Sequence, residues 1–195
     1  NKLLDNASPN YKTKITKPND PAIIIYTSGT TGGPKGALLP HQSLLGHIPG
    51  VEMPHEFLSS LDPVQDVFWT PADWAWIGGL FDVLLPAWHF GIPVISYRSG
   101  KFDPEFAFHL MSKFKVRNTF LPPTALKMMK AVNLSKNINV LNLRTVGSGG
   151  EALGEELLEW GNKILGVGIN EFYGQTECNL TISNNGALMG SKQGS

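Results

Sequence analysis

Apolar positions along the chain fall into short runs separated by turn-forming stretches. Residues 1–20 are polar, rich in Lys, Asn and Pro, and carry neither a two-residue nor a 3.6-residue period, which predicts an irregular lead-in. Ala22-Ile-Ile-Ile-Tyr26 is a continuous apolar run of the kind buried strands show. A Ser/Thr/Gly loop from Thr27 to Gly36 follows, then a short helix over His41–His47 and a strand over Val67–Trp69. Asp103 before Pro104 reads as an N-cap with proline at the first helical position. Phe106, Leu110 and Phe114 then recur at four-residue spacing on one face.

The second half alternates. Asn118–Leu121 predicts a strand, Pro122-Pro123 opens a helix to about Val132, and Leu143–Val146 predicts another strand. Gly154–Leu165 predicts a helix and Val167–Phe172 a last strand. Short strands alternating with helices of this length imply βαβ units, hence an α/β fold with a largely parallel β-sheet flanked by helices. Ligands of such sheets sit at the carboxyl ends of the strands. The pattern places three loops there: Thr27–Gly36, Gly147–Ala152 and Tyr173–Cys178.

Charge narrows the partners. Lys plus Arg number 16 and Asp plus Glu number 16, so there is no bulk attraction toward nucleic acid or an anionic membrane. Any anion must be held by a local site. Glycine contributes 21 residues and proline 14, an excess that implies shaped loops. The sole cysteine, Cys178, excludes an intramolecular disulfide and a multi-cysteine metal site. It reads as a small buried filler, and the cytoplasm as the expected compartment. The most apolar stretch, residues 74–95, is interrupted by Gly78-Gly79, Asp82, Pro86 and His89, too often for a membrane span. No signal peptide is expected. The chain opens at Asn1 without a methionine and closes on a polar tail, which reads as a piece of something longer.

The first loop carries the most specific chemistry. Tyr26-Thr-Ser-Gly-Thr-Thr-Gly-Gly-Pro-Lys-Gly36 holds four hydroxyl residues after the tyrosine, four glycines and one lysine. Glycines let backbone N–H groups approach an anion, hydroxyls add donors and lysine neutralises charge, so the composition suits a polyphosphate. It is not a Walker loop: Pro34, with no N–H to give, stands where that pattern needs its second glycine, and Gly36 replaces the metal-binding hydroxyl. Gly147-Ser-Gly-Gly-Glu-Ala152, with Glu171 19 residues beyond Ala152, also satisfies a dinucleotide-binding pattern, but that reading leaves the first loop unexplained.

Tyr26–Gly36 resembles the signature of the adenylate-forming superfamily, which includes acyl-CoA synthetases, peptide-synthetase adenylation domains and firefly luciferase. Asn170-Glu-Phe-Tyr-Gly-Gln-Thr-Glu177 is similar to that family's second nucleotide motif, and Gly149-Gly-Glu-Ala152 lies between them in the family's order. The resemblance runs from about residue 22 to the C-terminus and matches the central part of the family's large N-terminal domain. It implies a partial AMP-binding domain over residues 21–195.

The resemblance implies roles residue by residue. Thr27, Ser28, Gly29, Thr30, Thr31, Gly32, Gly33 and Lys35 would close over the β- and γ-phosphates of ATP. Tyr173 would stack on adenine, with Gly150, Glu151 and Ala152 on the other side of the ring; Glu171, Phe172, Gly174 and Gln175 complete the nucleotide motif. Thr176 would bond the α-phosphate and Glu177 would hold Mg²⁺, so that Lys35, Thr176 and Glu177 carry the catalysis. Read without the family, Tyr173 could equally be a core aromatic and Glu177 a solvated acid.

The segment Trp69-Thr-Pro-Ala-Asp-Trp-Ala-Trp-Ile-Gly-Gly-Leu80 concentrates tryptophan, which can fill a core or line an apolar slot. It resembles the acyl-pocket region of acetyl- and medium-chain acyl-CoA synthetases. Trp76, Gly149 and Gly174 would then border a small-molecule carboxylate, with Phe81 and Leu84 as further wall. Acetate-specific relatives carry tryptophan at the position of Gly174, so a longer, branched or aromatic carboxylate is expected here. His41 is open between a helix-start residue and a site lining.

The implied reaction joins a carboxylate to the α-phosphorus of ATP, releases pyrophosphate, and passes the acyl group to coenzyme A. Catalysis of that kind is positioning and charge stabilisation, with no strong protein nucleophile. The family's ribose-binding aspartate, its arginine and its mobile-domain lysine find no match after Glu177. The 195 residues alone are therefore expected to be inactive. Loading of a carrier protein and non-catalytic nucleotide binding are the alternatives.

Overall fold

A computed structural model describes residues 2–27, 33–58, 66–97, 100–132 and 141–190. The lead-in holds one exposed helical turn, α1 (Lys2–Asp5). The next two elements form a hairpin of their own: β1 (Pro21–Thr27) pairs antiparallel with β2 (Lys35–Pro40). Two short helices, α2 (Ser43–Gly46) and α3 (Ile48–Glu52), lead to the main sheet.

That sheet has five strands in the order β3 (Phe68–Trp69), β4 (Asn118–Phe120), β5 (Thr145–Gly149), β6 (Ile169–Gln175) and β7 (Asn179–Ser183). The first four strands run parallel and β7 returns antiparallel along β6. Between β3 and β4 stand a helix over 77–89, made of α4 (Ile77–Gly79), a π turn (Leu80–Leu84) and α5 (Leu85–His89), and then α6 (Pro104–Lys113). After β4 comes α7 (Pro123–Ala131), and after β5 comes α8 (Glu155–Trp160), continued by a second π turn, Gly161–Leu165.

Strand alternation divides the core. Phe68 and Phe120 join Leu58, Val83, Ala87 and Ile92, on the side of helix 77–89. Trp69, Leu121, Val146 and Ile169 join Phe108 and Met111 of α6, Leu126 and Met129 of α7, and Leu157 of α8. The sheet is thus covered by helices on both faces, the arrangement a parallel sheet requires. Asp103 caps α6 as expected, its Oδ1 accepting from the N–H groups of Glu105 at 3.0 Å and Phe106 at 3.2 Å.

Several expectations need correction. The apolar run at 22–26 is not a buried strand of the parallel sheet: β1 belongs to the separate hairpin, and Ile24 and Tyr26 are exposed. Thr27 and Lys35–Gly36 are paired strand residues rather than loop. β5 starts two residues later than predicted, which puts Gly147, Ser148 and Gly149 inside the strand. β6 likewise extends through Tyr173–Gln175, and β7 was not anticipated. On α6 the buried face is Ala107, Phe108, Leu110 and Met111; Phe114 is exposed because it lies at the C-cap, past the last helical turn.

The amino ends of the parallel strands are tied by buried polar groups. Asn118 Oδ1 accepts from Thr145 Oγ1 at 2.8 Å and from Arg144 Nη2 at 2.9 Å, and Arg144 Nη2 also reaches the His55 carbonyl at 2.5 Å. The Thr145 hydroxyl proton is committed to Asn118, so the 3.1 Å contact of His55 Nδ1 with that oxygen makes the imidazole the donor. Asn170 Nδ2 donates to the Pro54 carbonyl at 2.9 Å and to Glu56 Oε1 at 3.1 Å, while its Oδ1 accepts from the Gly186 N–H at 2.9 Å. Burial, with Arg144 nearby, pushes the His55 imidazole down to about 3, so the ring stays neutral.

Candidate functional site

The carboxyl ends of β5 and β6 bring two of the three motifs together. Gly147, Ser148 and Gly149 pair in register with Asn170, Glu171 and Phe172. Gly149 has no side chain because Phe172 occupies its place: a Cβ there would stand 2.5 Å from the ring. Phe172 in turn lies 5.3 Å from the Phe120 ring, centre to centre, at the carboxyl end of β4. The chain then turns at Gly150, whose φ of +103° suits glycine, and exposes Glu151. Glu171 anchors this turn by accepting the Leu153 N–H at 2.8 Å, leaving its Oε2 buried without a partner among the described residues. Glu151 meets Lys127 Nζ at 3.4 Å in the open.

Because Gly147–Gly149 is strand and α8 begins only at Glu155, no helix starts at the glycines. The phosphate-cradling turn of a dinucleotide site is absent, and that reading is dropped.

The last motif is a β-hairpin. Tyr173 lies on β6 opposite Ile182, 54% exposed, with an open aromatic face. A bulge separates Tyr173 from Gly174, and a Cβ on Gly174 would fall 2.0 Å from the Asn179 carbonyl oxygen. The backbone of β7 therefore forbids any side chain at 174 in this arrangement. Gln175 pairs with Asn179, and the turn between them presents Thr176, half-buried, and Glu177, exposed. Cys178 is exposed in the same turn, not a buried filler, because the turn residues project beyond the end of the sheet.

The first motif lies on the hairpin of β1 and β2. Thr27 pairs with Lys35, and Thr27 Oγ1 donates to the Lys35 carbonyl at 3.5 Å. Gly33 and Lys35 are exposed. Ser28, Gly29, Thr30, Thr31 and Gly32 lie outside the described residues. Among the described residues, no hydrogen bond or ion pair joins Thr27 or Lys35 to the β5 and β6 motifs.

A family model described as AMP-binding enzyme matches residues 2–194. The chain belongs to this family. It is 28% identical over 178 residues to acetyl-coenzyme A synthetase 2 of Candida albicans, a match covering 89% of this chain and 25% of that protein. It is 32% identical over 180 residues to the mitochondrial acyl-coenzyme A synthetase ACSM2 of Rattus norvegicus, covering 92% of this chain and 30% of that one. The ATP-bound crystal structure of MatB from Rhodopseudomonas palustris superposes with a TM-score of 0.78 at 26% identity, over 94% of this chain and 35% of that one. The chain spans about a quarter to a third of the length of the curated relatives it matches.

Within this AMP-binding chain the tryptophan-rich segment divides. Trp69 is core, Trp74 is half-buried, and Trp76 caps helix 77–89 while 73% exposed. Phe81 is buried with its ring 5.0 Å from that of His47, and Leu84 is buried. A cavity of about 500 Å³ opens beside Trp69, Trp74, Tyr97 and Phe106, and Trp76 is not among its lining residues. His41 is half-buried, with its N–H on the Asp20 carbonyl at 3.0 Å.

Two polar residues of this region have no counterpart among the sequence-based candidates. Asp82 is buried in the π turn, and burial pushes its carboxyl up to about 7, with the Asn179 side chain pulling the other way. In the sequence Asp82 is only an interruption of an apolar stretch. Asn179 opens β7 with φ +49° and is buried. Among the described residues no helix is long and apolar enough to cross a membrane, and no three His, Cys, Asp or Glu side chains cluster as a metal site.

Proposed function

We propose that the chain is the nucleotide-motif segment of an AMP-forming acyl-CoA synthetase. The observation that carries the reading is the register of Gly147–Gly149 with Asn170–Phe172, which sets the Gly150–Ala152 turn and the open face of Tyr173 side by side at the carboxyl end of the sheet. An adenine ring fits between a backbone edge and an aromatic face, since stacking tolerates any base. Thr176 in the next turn would donate to the α-phosphate. Lys35 and the hydroxyls of the first loop would neutralise the β- and γ-phosphates.

The substrate carboxylate would then attack the α-phosphorus, pyrophosphate would leave, and the acyl adenylate would be consumed by the thiol of coenzyme A. The chain's residues bind and align two anions, and the acceleration comes from alignment and from donors aimed at the developing charge. One exposed carboxylate, Glu177, beside nucleotide oxygens is the donor set that Mg²⁺ takes, since that ion binds through one or two carboxylates plus phosphates and water. When bound it supplies charge neutralisation at the phosphates.

The space beside Gly174 is filled by the backbone of β7, so the expectation of a carboxylate longer than acetate rests on the resemblance at Gly174 and not on an opening there. The isolated 195 residues would not turn over, because they span a quarter to a third of the relatives' length. The test is carboxylate-dependent ATP–pyrophosphate exchange by the full-length protein, run against carboxylates of increasing length. Exchange with a longer carboxylate well above that with acetate is expected, with none from the isolated segment. Exchange by the isolated segment near the full-length rate, or a dominant preference for acetate, would overturn these parts of the reading.

A further inference from the structure

Helix 77–89 buries a carboxyl group that the fold does not use. Asp82 sits in its π turn, a rare helical geometry concentrated at functional sites. Its Oδ1 is buried with no hydrogen-bond partner among the described residues, an arrangement that costs stability unless a ligand completes it. Oδ2 lies 3.7 Å from the point a Gly78 Cβ would occupy, and the Phe120 ring is 2.9 Å from that same point. The Asn179 side chain on β7 interacts with the carboxyl as a weak donor, its Nδ2 being too poorly placed to make a full hydrogen bond with any of the described residues.

These neighbours locate the group. Phe120 ends β4, Asn179 opens β7 against Gly174, and Gly78 is two residues beyond Trp76. The acid therefore lies at the carboxyl end of the sheet, on the helix that Trp76 caps and beside the Asn179 that packs on Gly174, the two residues that would border the substrate's hydrocarbon part. We infer that Asp82 is a specificity residue of the acyl pocket and takes a hydrogen-bond donor, a hydroxyl or an ammonium group, carried on the acyl chain of the carboxylate substrate. The inference rests on the acyl-activating reading proposed above.

A plain hydrocarbon would leave Asp82 Oδ1 without a donor. A hydroxyl would donate to it. An ammonium would instead hold the carboxyl in its ionised form. Sites built around a substrate donor reject the analogue that lacks it far more strongly than apolar slots reject an extra methylene. The upward displacement of the Asp82 carboxyl to about 7 agrees with a buried group that has no charged partner among the described residues.

The test uses the full-length protein and ATP–pyrophosphate exchange with three carboxylates of one chain length: unsubstituted, hydroxyl-bearing and amino-bearing. A donor-bearing member should exceed the unsubstituted one by at least ~10-fold in kcat/KM, and which member does so separates hydroxyl from ammonium. Asp82→Leu should cut that ratio by ~10-fold or more, chiefly through KM; Asp82→Ala serves the same purpose if the leucine variant does not fold. A wild-type preference for the unsubstituted acid, or a ratio that neither variant changes, overturns the role of Asp82 while leaving adenylation intact. Absence of exchange with every carboxylate overturns the acyl-activating reading, and this inference falls with it.

Discussion

The two ends of the parallel sheet differ in how far their polar side chains hold one another. At the amino ends, Asn118, Thr145, Arg144, His55, Glu56 and Asn170 hold one another through buried hydrogen bonds. At the carboxyl ends most polar groups face outward or lack a full hydrogen bond: Tyr173, Glu151 and Glu177 are exposed, and Glu171 Oε2, Asp82 Oδ1 and Asn179 Nδ2 are buried without a hydrogen-bond partner among the described residues. Asn118 Nδ2 and Arg144 Nε at the amino ends also lack partners among the described residues, so the contrast lies in the cross-strand hydrogen bonds, which several side chains share at the amino ends and which rigidify that end. Substitutions at one end should therefore move stability, and at the other, activity.

The largest separation should come from the exposed motif residues. In the full-length protein Lys35→Ala and Glu177→Gln should each lower kcat/KM by roughly 10²–10³-fold, the scale of one lost charge-stabilising contact. Both side chains are exposed, so the melting temperature should stay nearly unchanged. Asn118→Ala is the mirror experiment. It removes one partner each from Arg144 and the Thr145 hydroxyl, which keep their contacts with His55, and should cost ~1–3 kcal/mol in denaturant unfolding, with KM for ATP unchanged in the folded fraction. A fall in activity without unfolding would break the division.

Gly174→Ala should blur it. The added methyl meets the Asn179 carbonyl, so the β6–β7 hairpin must shift, costing ~1–3 kcal/mol and raising KM for the carboxylate together.

The effect that is smallest per step of the measurement is a pH slope of opposite sign at each end. His55 is held down to about 3 against 6.5 when unfolded, so its contribution is complete above pH 6.5 and is lost as pH falls toward 3. Asp82 is held up to about 7 against 3.8, so its contribution is complete below pH 3.8 and is lost as pH rises toward 7. Asp82→Asn removes only the second. Its unfolding free energy relative to the unsubstituted protein should rise by ~1.4 kcal/mol per pH unit between about pH 4 and 7. A pH-independent difference would mean that the Asp82 carboxyl titrates in the folded protein as it does in the unfolded chain.

Legibility in the sequence followed the range of the interactions. Local signals read well: the Asp103-Pro104 start of α6, the proline start of α7, and the alternation that yields the parallel sheet are decided within a few residues. The motifs at Gly149–Ala152 and Asn170–Glu177 were legible because their residue types are chemically unusual. The separate hairpin was not, since an apolar run such as Ile23–Ile25 looks the same whether it is covered on both faces or one. β7 is not legible because an edge strand with three outward or half-buried positions carries little alternation. Asp82 and Asn179 matter only through partners from distant elements, which no local window contains.

The central claim, that nucleotide binds at the carboxyl ends of β5 and β6, is tested most directly by photo-crosslinking the full-length protein with an azidoadenine analogue of ATP and sequencing the labelled peptide. The label should fall within Gly150–Ala152 or on Tyr173, and unmodified ATP should compete it away. Label confined to the His55, Asn118 and Arg144 end of the sheet, or insensitive to ATP, would contradict the account.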